Sequence, residues 1–268
     1  MDLPTALGAG VLATFVPLYV GLFAPRVLTK GRSGQNTARL LAAASAGIIF
    51  WFFLDVMGDA ALLDVNQGLN AQSPGQVATH ILLAILFAAG LTLLWSLERY
   101  SRPRVREQEE SGSSSSSIPS PTFAVAMVAA LGVGFHALGE GVAIGSILPQ
   151  SSSILDAIGG LLPGVAYVLH KFLEGFVIGV FAVLAGAASE RKIGLLGVIA
   201  GIPTILGFVV GLPSVLESSY FFALGGAGAM YIEIKLVPVF ARTRLDYASI
   251  IFVLLGFYSM YIAGLFHG

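Results

Sequence analysis

Cysteine is absent from this 268-residue chain, and charge is scarce: 11% of residues are Asp, Glu, Lys or Arg, against 56% hydrophobic. The first absence excludes disulfides and thiolate metal sites, and leaves the redox compartment open. The second excludes an ordinary soluble domain, which buries its core with far less apolar residue. The net charge is −1, with no basic surplus to neutralise a phosphate backbone, so no nucleic-acid partner is expected. The chain opens Met1-Asp2-Leu3-Pro4, which lacks the basic region of a signal peptide. The first apolar run is therefore expected to stay as a membrane span.

What is present is a series of long apolar runs. A span needs about 20 mostly apolar residues, and eight stretches qualify: Thr5–Ala24, Ala38–Met57, Ala78–Leu97, Thr122–Leu148, Ala157–Ala185, Ile193–Leu212, Ser219–Phe240 and Ala248–Leu265. Helices close their own backbone hydrogen bonds, as the bilayer requires. The expected fold is all-α, a polytopic bundle of eight transmembrane helices forming one domain over residues 1–268. Residues 98–121, with their run Ser113–Ser117 followed by Ile118-Pro119-Ser120-Pro121, read as a flexible cytoplasmic linker within it.

The basic residues sort by loop. The first loop and the start of span two hold Arg26, Lys30, Arg32 and Arg39. The third holds Arg99, Arg102, Arg104 and Arg106, the fifth Arg191 and Lys192, and the seventh Arg242 and Arg244. The even loops carry Asp59, Asp64, Asp156 and Glu217 and no Lys or Arg. The positive-inside rule puts the odd loops in the cytoplasm and both termini outside, in what is expected to be the plasma membrane. Two of the fourteen Lys and Arg residues fall inside spans. Lys235 is expected to snorkel from the cytoplasmic end of span seven. Lys171 lies near mid-membrane and needs a partner.

That partner is supplied by the chain's one repeated motif. His136-Ala137-Leu138-Gly139-Glu140-Gly141 lies in span four and His170-Lys171-Phe172-Leu173-Glu174-Gly175 in span five, and both run on to Ile-Gly. A four-residue spacing stacks His and Glu on one helix face. Ionisable groups at mid-span are costly and mark functional sites. Antiparallel neighbours would bring both pairs to one depth as a His₂Glu₂ cage. Imidazole and carboxylate suit Zn²⁺, Fe²⁺, Mn²⁺, Co²⁺ or Cd²⁺. The plain alternative is that the four groups pair with each other as helix glue. Lys171 is three residues before Glu174 and faces it on a helix. Asp55 in span two and Glu233 in span seven either line a path for the ion or are interfacial acids. His80 and His267 fall at the outer face, where histidines are usually solvated. Pro163 above His170 and Pro203 in span six are expected to bend their helices, lining a cavity or making a packing kink. Glycines 132, 134, 139, 141 and 145 permit close helix approach.

These motifs resemble those of the ZIP (Zrt/Irt-like) family of divalent metal transporters. The fourth- and fifth-span signatures match at His136–Gly141 and His170–Gly175, and Gly201-Ile202-Pro203-Thr204-Ile205-Leu206-Gly207 is similar to the family's sixth-span pattern. The resemblance implies a 3+2+3 helix arrangement and transport of Zn²⁺ or a related ion toward the cytosol. It assigns His136, Glu140, His170 and Glu174 as the transport site, with one bundle sliding against another. Many members hold a second metal, whose further ligands sit where this chain has Ala137, Lys171 and Thr204, so the resemblance implies a single-metal site with Lys171 in the second ion's place. The expected partners are the ion, the bilayer and a second copy in a homodimer; no organic cofactor and no enzymatic activity are expected. The competing classes are an intramembrane zinc hydrolase, for which the chain has no His-Glu-x-x-His, and a structural or sensory membrane protein. Cysteines introduced at Asp2 and Gly268 should both react with an impermeant reagent in intact cells; protection of either would mean the span count is wrong.

Overall fold

The computed structural model describes residues 3–30, 34–60, 73–101, 121–187, 189–213, 215–241 and 246–266. Eight long helices account for most of them: α1 (Leu3–Leu28), α2 (Gly34–Asp59), α3 (Pro74–Ser101), α4 (Phe123–Ile147), α5 (Leu161–Leu184), α6 (Glu190–Gly211), α7 (Ser218–Phe240) and α8 (Tyr247–Gly264). All eight are long and apolar enough to cross a membrane, and no strand occurs among the described residues. The protein is an all-α integral membrane protein, as the apolar runs require.

Three local expectations change. Span five starts at Leu161 rather than Ala157, because Gly159 and Gly160 adopt φ of +84° and +110° and separate it from a one-turn helix, Ile154–Ala157. Pro163 then falls in the first turn of α5, where its missing N–H has no intrahelical acceptor to lose, so it gives no reason for a bend. Pro203 does lie inside α6; it cannot donate to the Ile199 carbonyl, and that oxygen faces α4 at Gly134. Finally, α3 runs on to Ser101, so residues 98–101 are helix and not linker; residues 102–120 lie outside the described residues.

The central pair α4 and α5 is the most buried, and α3 and α8 the least. α4 packs mainly on α6 and α7, and α5 mainly on α1, with α2 and α8 also against it. Helices of both outer triplets thus flank the central pair, in keeping with the 3+2+3 arrangement. The motif glycines explain the tightest of these contacts. A Cβ on Gly141 would collide with the Thr204 carbonyl of α6, and one on Gly175 with the Leu18 carbonyl of α1. The glycine after each motif glutamate therefore lets two helix backbones touch one residue away from the site.

Cross-helix contacts engage three of the basic residues near the helix ends. Arg26 on α1 approaches Glu190 on α6 at 3.9 Å, Lys192 lies 5.2 Å from the centroid of the Phe123 ring at the start of α4, and Arg39 on α2 bonds Asp246 before α8 at 2.5 Å. Arg32, Arg102, Arg104, Arg106, Arg242 and Arg244 lie outside the described residues. Lys235 has a partner in the fold: its Nζ lies 2.6 Å from Oε2 of the buried Glu98 on α3, which also accepts a 2.9 Å hydrogen bond from Tyr231, and the lysine side chain stays partly exposed.

Asp246 caps α8 through the backbone N–H of Ser249 at 2.9 Å. Hydrogen bonds from Ser249, with Arg39 adding to them, hold its carboxyl down at about 2 from the usual 3.8. A depressed carboxylate contributes stability above its unfolded pKa and loses it as pH falls through the folded value. The detergent-solubilised protein should therefore lose part of its thermal stability between about pH 4 and about pH 2. Asp246→Asn should be less stable at neutral pH and flatter across that window; an unchanged acid profile would remove this cap from the account.

Candidate metal centre

α4 carries His136 and Glu140 one turn apart, and α5 carries His170 and Glu174 likewise. Both histidines lie in the middle part of their helices, and the four side chains meet. One ligand atom from each lies within 4.8 Å of all the others. His136 Nε2 is 3.3 Å from Glu140 Oε1 and 3.8 Å from Glu174 Oε1; His170 Nε2 is 3.3 Å from Glu174 Oε1 and 3.8 Å from Glu140 Oε1. A tetrahedral ion with bonds of about 2.0–2.1 Å separates its ligands by roughly 3.4 Å. The spacing fits a small divalent ion at the centre, held by two nitrogens and two oxygens.

The two carboxylates divide their oxygens between two neighbours. Each Oε1 faces the imidazoles, and each Oε2 meets Lys171. Nζ of Lys171 lies 2.8 Å from Glu174 Oε2 and makes a closer ion pair with Glu140 Oε2. The helix spacing anticipated the contact with Glu174; the contact with Glu140 arises only because α4 and α5 cross here. Lys171 is buried, with its Nζ 5.6 Å from the centroid of the Tyr167 ring, and the Tyr167 hydroxyl is 3.0 Å from Thr14 on α1.

Of the residues expected at a second metal, Lys171 is thus in the cluster. Thr204 is buried on α6, its hydroxyl has no hydrogen-bond partner among the described residues, and it lines a cavity of about 30 Å³ with Thr14 and Tyr167. Ala137 is buried on α4. Asp55 and Glu233 stand apart from the four-residue group. Asp55 sits half-buried on α2, facing α8 near Gly264, and Glu233 is on α7 with one buried oxygen that has no hydrogen bond. His80 is in α3; His267 lies outside the described residues.

Sequence reasoning missed the aromatic side of the centre. Phe52 of α2, fully buried, meets His136 edge-on at 4.6 Å between centroids and His170 at 5.5 Å. Phe222 of α7 lies 5.4 Å from His136, and the two imidazoles lie nearly parallel at 5.5 Å. Gly225 of α7 lies against the His136 backbone, where a Cβ would come within 2.8 Å of its Cα. One apolar Phe among many carries no sequence signal for such a contact. Glu98 was the other omission: it stands one residue beyond the apolar run Ala78–Leu97 and was read as the start of the linker, whereas α3 continues through it to Ser101.

In metal-free protein, Lys171 is the one lysine or arginine among the described residues that touches Glu140 and Glu174. Lys171→Ala should then lower stability by about 3–5 kcal/mol, the usual result of leaving a buried charge unpaired. Adding Glu174→Gln should restore much of that loss. A thermal melt in detergent with chelator checks both; an unchanged melting temperature for Lys171→Ala would rule out the counter-charge role. No protein-family model matches the chain, and no curated protein sequence matches it.

Proposed function

We propose that this protein carries divalent transition-metal ions, zinc foremost, across a membrane toward the cytoplasm, as a ZIP-type carrier that binds one ion at a time. The observation that carries this reading is the convergence of four ligand atoms within 4.8 Å at the mid-depth of two central spans. The ligands are His136, Glu140, His170 and Glu174. Water is excluded from them, which favours an ion handed between faces over a hydrolytic zinc, since hydrolysis needs an open position for water. The ions accepted by such a donor set include Zn²⁺, Fe²⁺, Mn²⁺, Co²⁺ and Cd²⁺.

Lys171 sets the charge of both carrier states. With neutral imidazoles, two carboxylates and one ammonium leave the empty site at −1, and a divalent ion takes it to +1. Without the lysine the two states would be −2 and 0. The cost of burying charge rises with its square, so one large penalty is replaced by two small ones. This suits a carrier that must cross both loaded and empty. A second divalent ion beside the ammonium would meet like-charge repulsion in a low dielectric. Ala137 and Thr204 offer it no strong ligand.

The packing supports a sliding carrier. α1, α4, α5 and α6 share backbone-close contacts, and the centre lies where α4 and α5 face α2 and α7. The reading is of alternating access around this boundary. The segregation of basic residues to one end supports a cytoplasmic assignment for that end, with both termini on the other side.

The Lys171 contacts also favour a second reading, a purely structural ion-paired core. Zinc uptake into proteoliposomes with an internal indicator separates the two. The carrier should accumulate zinc. Alanine at His136, Glu140, His170 or Glu174 should lower uptake at limiting zinc by more than the about 10–100-fold that loss of an outer partner costs. Near-normal uptake by His170→Ala or Glu174→Ala would leave the structural core as the better account.

A further inference from the structure

The centre has three features that bear on which ions it accepts, given the proposed transport site on which the inference rests. First, the second oxygen of each carboxylate is engaged by Lys171. A carboxylate whose Oε2 is held by an ammonium is kept monodentate toward an ion at its Oε1. Second, the imidazole end is covered by Phe52, which reaches both rings, and by Phe222. Third, His136 Nε2, His170 Nε2, Glu140 Oε1 and Glu174 Oε1 are all buried. A water ligand would need a polar, open space beside these atoms, and the structure leaves none there.

We propose that Lys171 and Phe52 fix the coordination number of the transported ion at four, Lys171 by denying the carboxylates their bidentate mode and Phe52 by denying water the open face. Both are positioning residues that touch the ligands and not the ion. The class of cargo follows. Ions that accept two nitrogens and two oxygens in a tetrahedron, zinc and cobalt(II), lose nothing at this site. Manganese, magnesium and calcium, which favour six ligands rich in oxygen and water, are left two short and bind weakly. Discrimination arises by withholding ligands, because the donor atoms alone suit several of these ions.

Cobalt(II) reports its own coordination number, giving intense visible bands with four ligands and weak ones with six. The purified full-length protein, stripped with chelator in detergent, is titrated with cobalt chloride and then challenged with zinc or manganese chloride. Intense bands, displaced by zinc and not by equal manganese, are expected. Lys171→Met, which frees both Oε2 atoms without adding a charge, should weaken the bands and lower the zinc-to-manganese affinity ratio by about tenfold or more. Phe52→Ala should shift both readouts the same way, and Phe52→Leu, which keeps the face covered, should preserve them. Weak six-coordinate bands in the wild type would overturn the four-ligand inference while leaving the metal site standing. Absence of any cobalt or zinc binding by the wild type would instead bring down the transport reading and this inference with it. Intense bands unchanged in folded Lys171→Met, or in Phe52→Ala should the former not fold, would overturn the role given to that residue.

Discussion

Two carboxylates buried side by side in the middle of a membrane need a cation between them. In this protein that cation is covalently attached: Lys171 meets Glu140 and Glu174 together, on the side away from the histidines. Most of the centre's geometry depends on this contact. It takes up Oε2 of each carboxylate and leaves each Oε1 facing the imidazoles, around a gap of ion size among four side-chain atoms. An isolated carboxylate here would take up a proton or leave the membrane interior. The lysine supplies the counter-charge that both carboxylates need there.

The helix packing lets the contact form. α4 and α5 touch each other less than either touches its main partner, α6 or α1. The site is therefore a junction of two helix pairs, each drawn close at the glycine that follows its glutamate. Across the junction stand α2 and α7, which present rings and a glycine to His136. Apolar rings make no directional bond to the imidazoles, and between α4 and α7 the backbones also come close at Gly132 and Gly228. The polar, directional contacts lie within the central pair.

The helices on the far side of that boundary are tied differently. α3 and α7 share the buried Glu98, satisfied by Lys235 and Tyr231. α2 and α8 are joined at one end by Arg39 and Asp246. The buried Glu98 ties α3 to α7, because separating it from Lys235 would leave a charge unpaired in a poor solvent for it; the exposed Arg39–Asp246 pair contributes little of this kind.

The eight spans, their helical nature and the meeting of His136, Glu140, His170 and Glu174 were all legible in the sequence, for physical reasons. Hydrocarbon thickness dictates run length, the absence of water dictates helix, and a costly ionisable group in such a run must have a purpose. Repetition of His-x-x-x-Glu in adjacent antiparallel spans was enough to place the ligands together, since the 3.6-residue turn sets their faces and the spans set their depth. The same helical arithmetic paired Lys171 with Glu174. It could not pair Lys171 with Glu140, place Phe52 over both imidazoles or find Glu98 beneath Lys235, because those contacts cross between helices, and periodicity along one helix says nothing about which neighbour stands opposite. Glycine runs announced close packing without naming the partner, and Pro163 looked like a kink until two glycines with positive φ began the helix just before it. Sequence alone determined which groups had to be buried. Tertiary structure decided which of them met, because only the packing of helix on helix brings groups distant in the chain within bonding range.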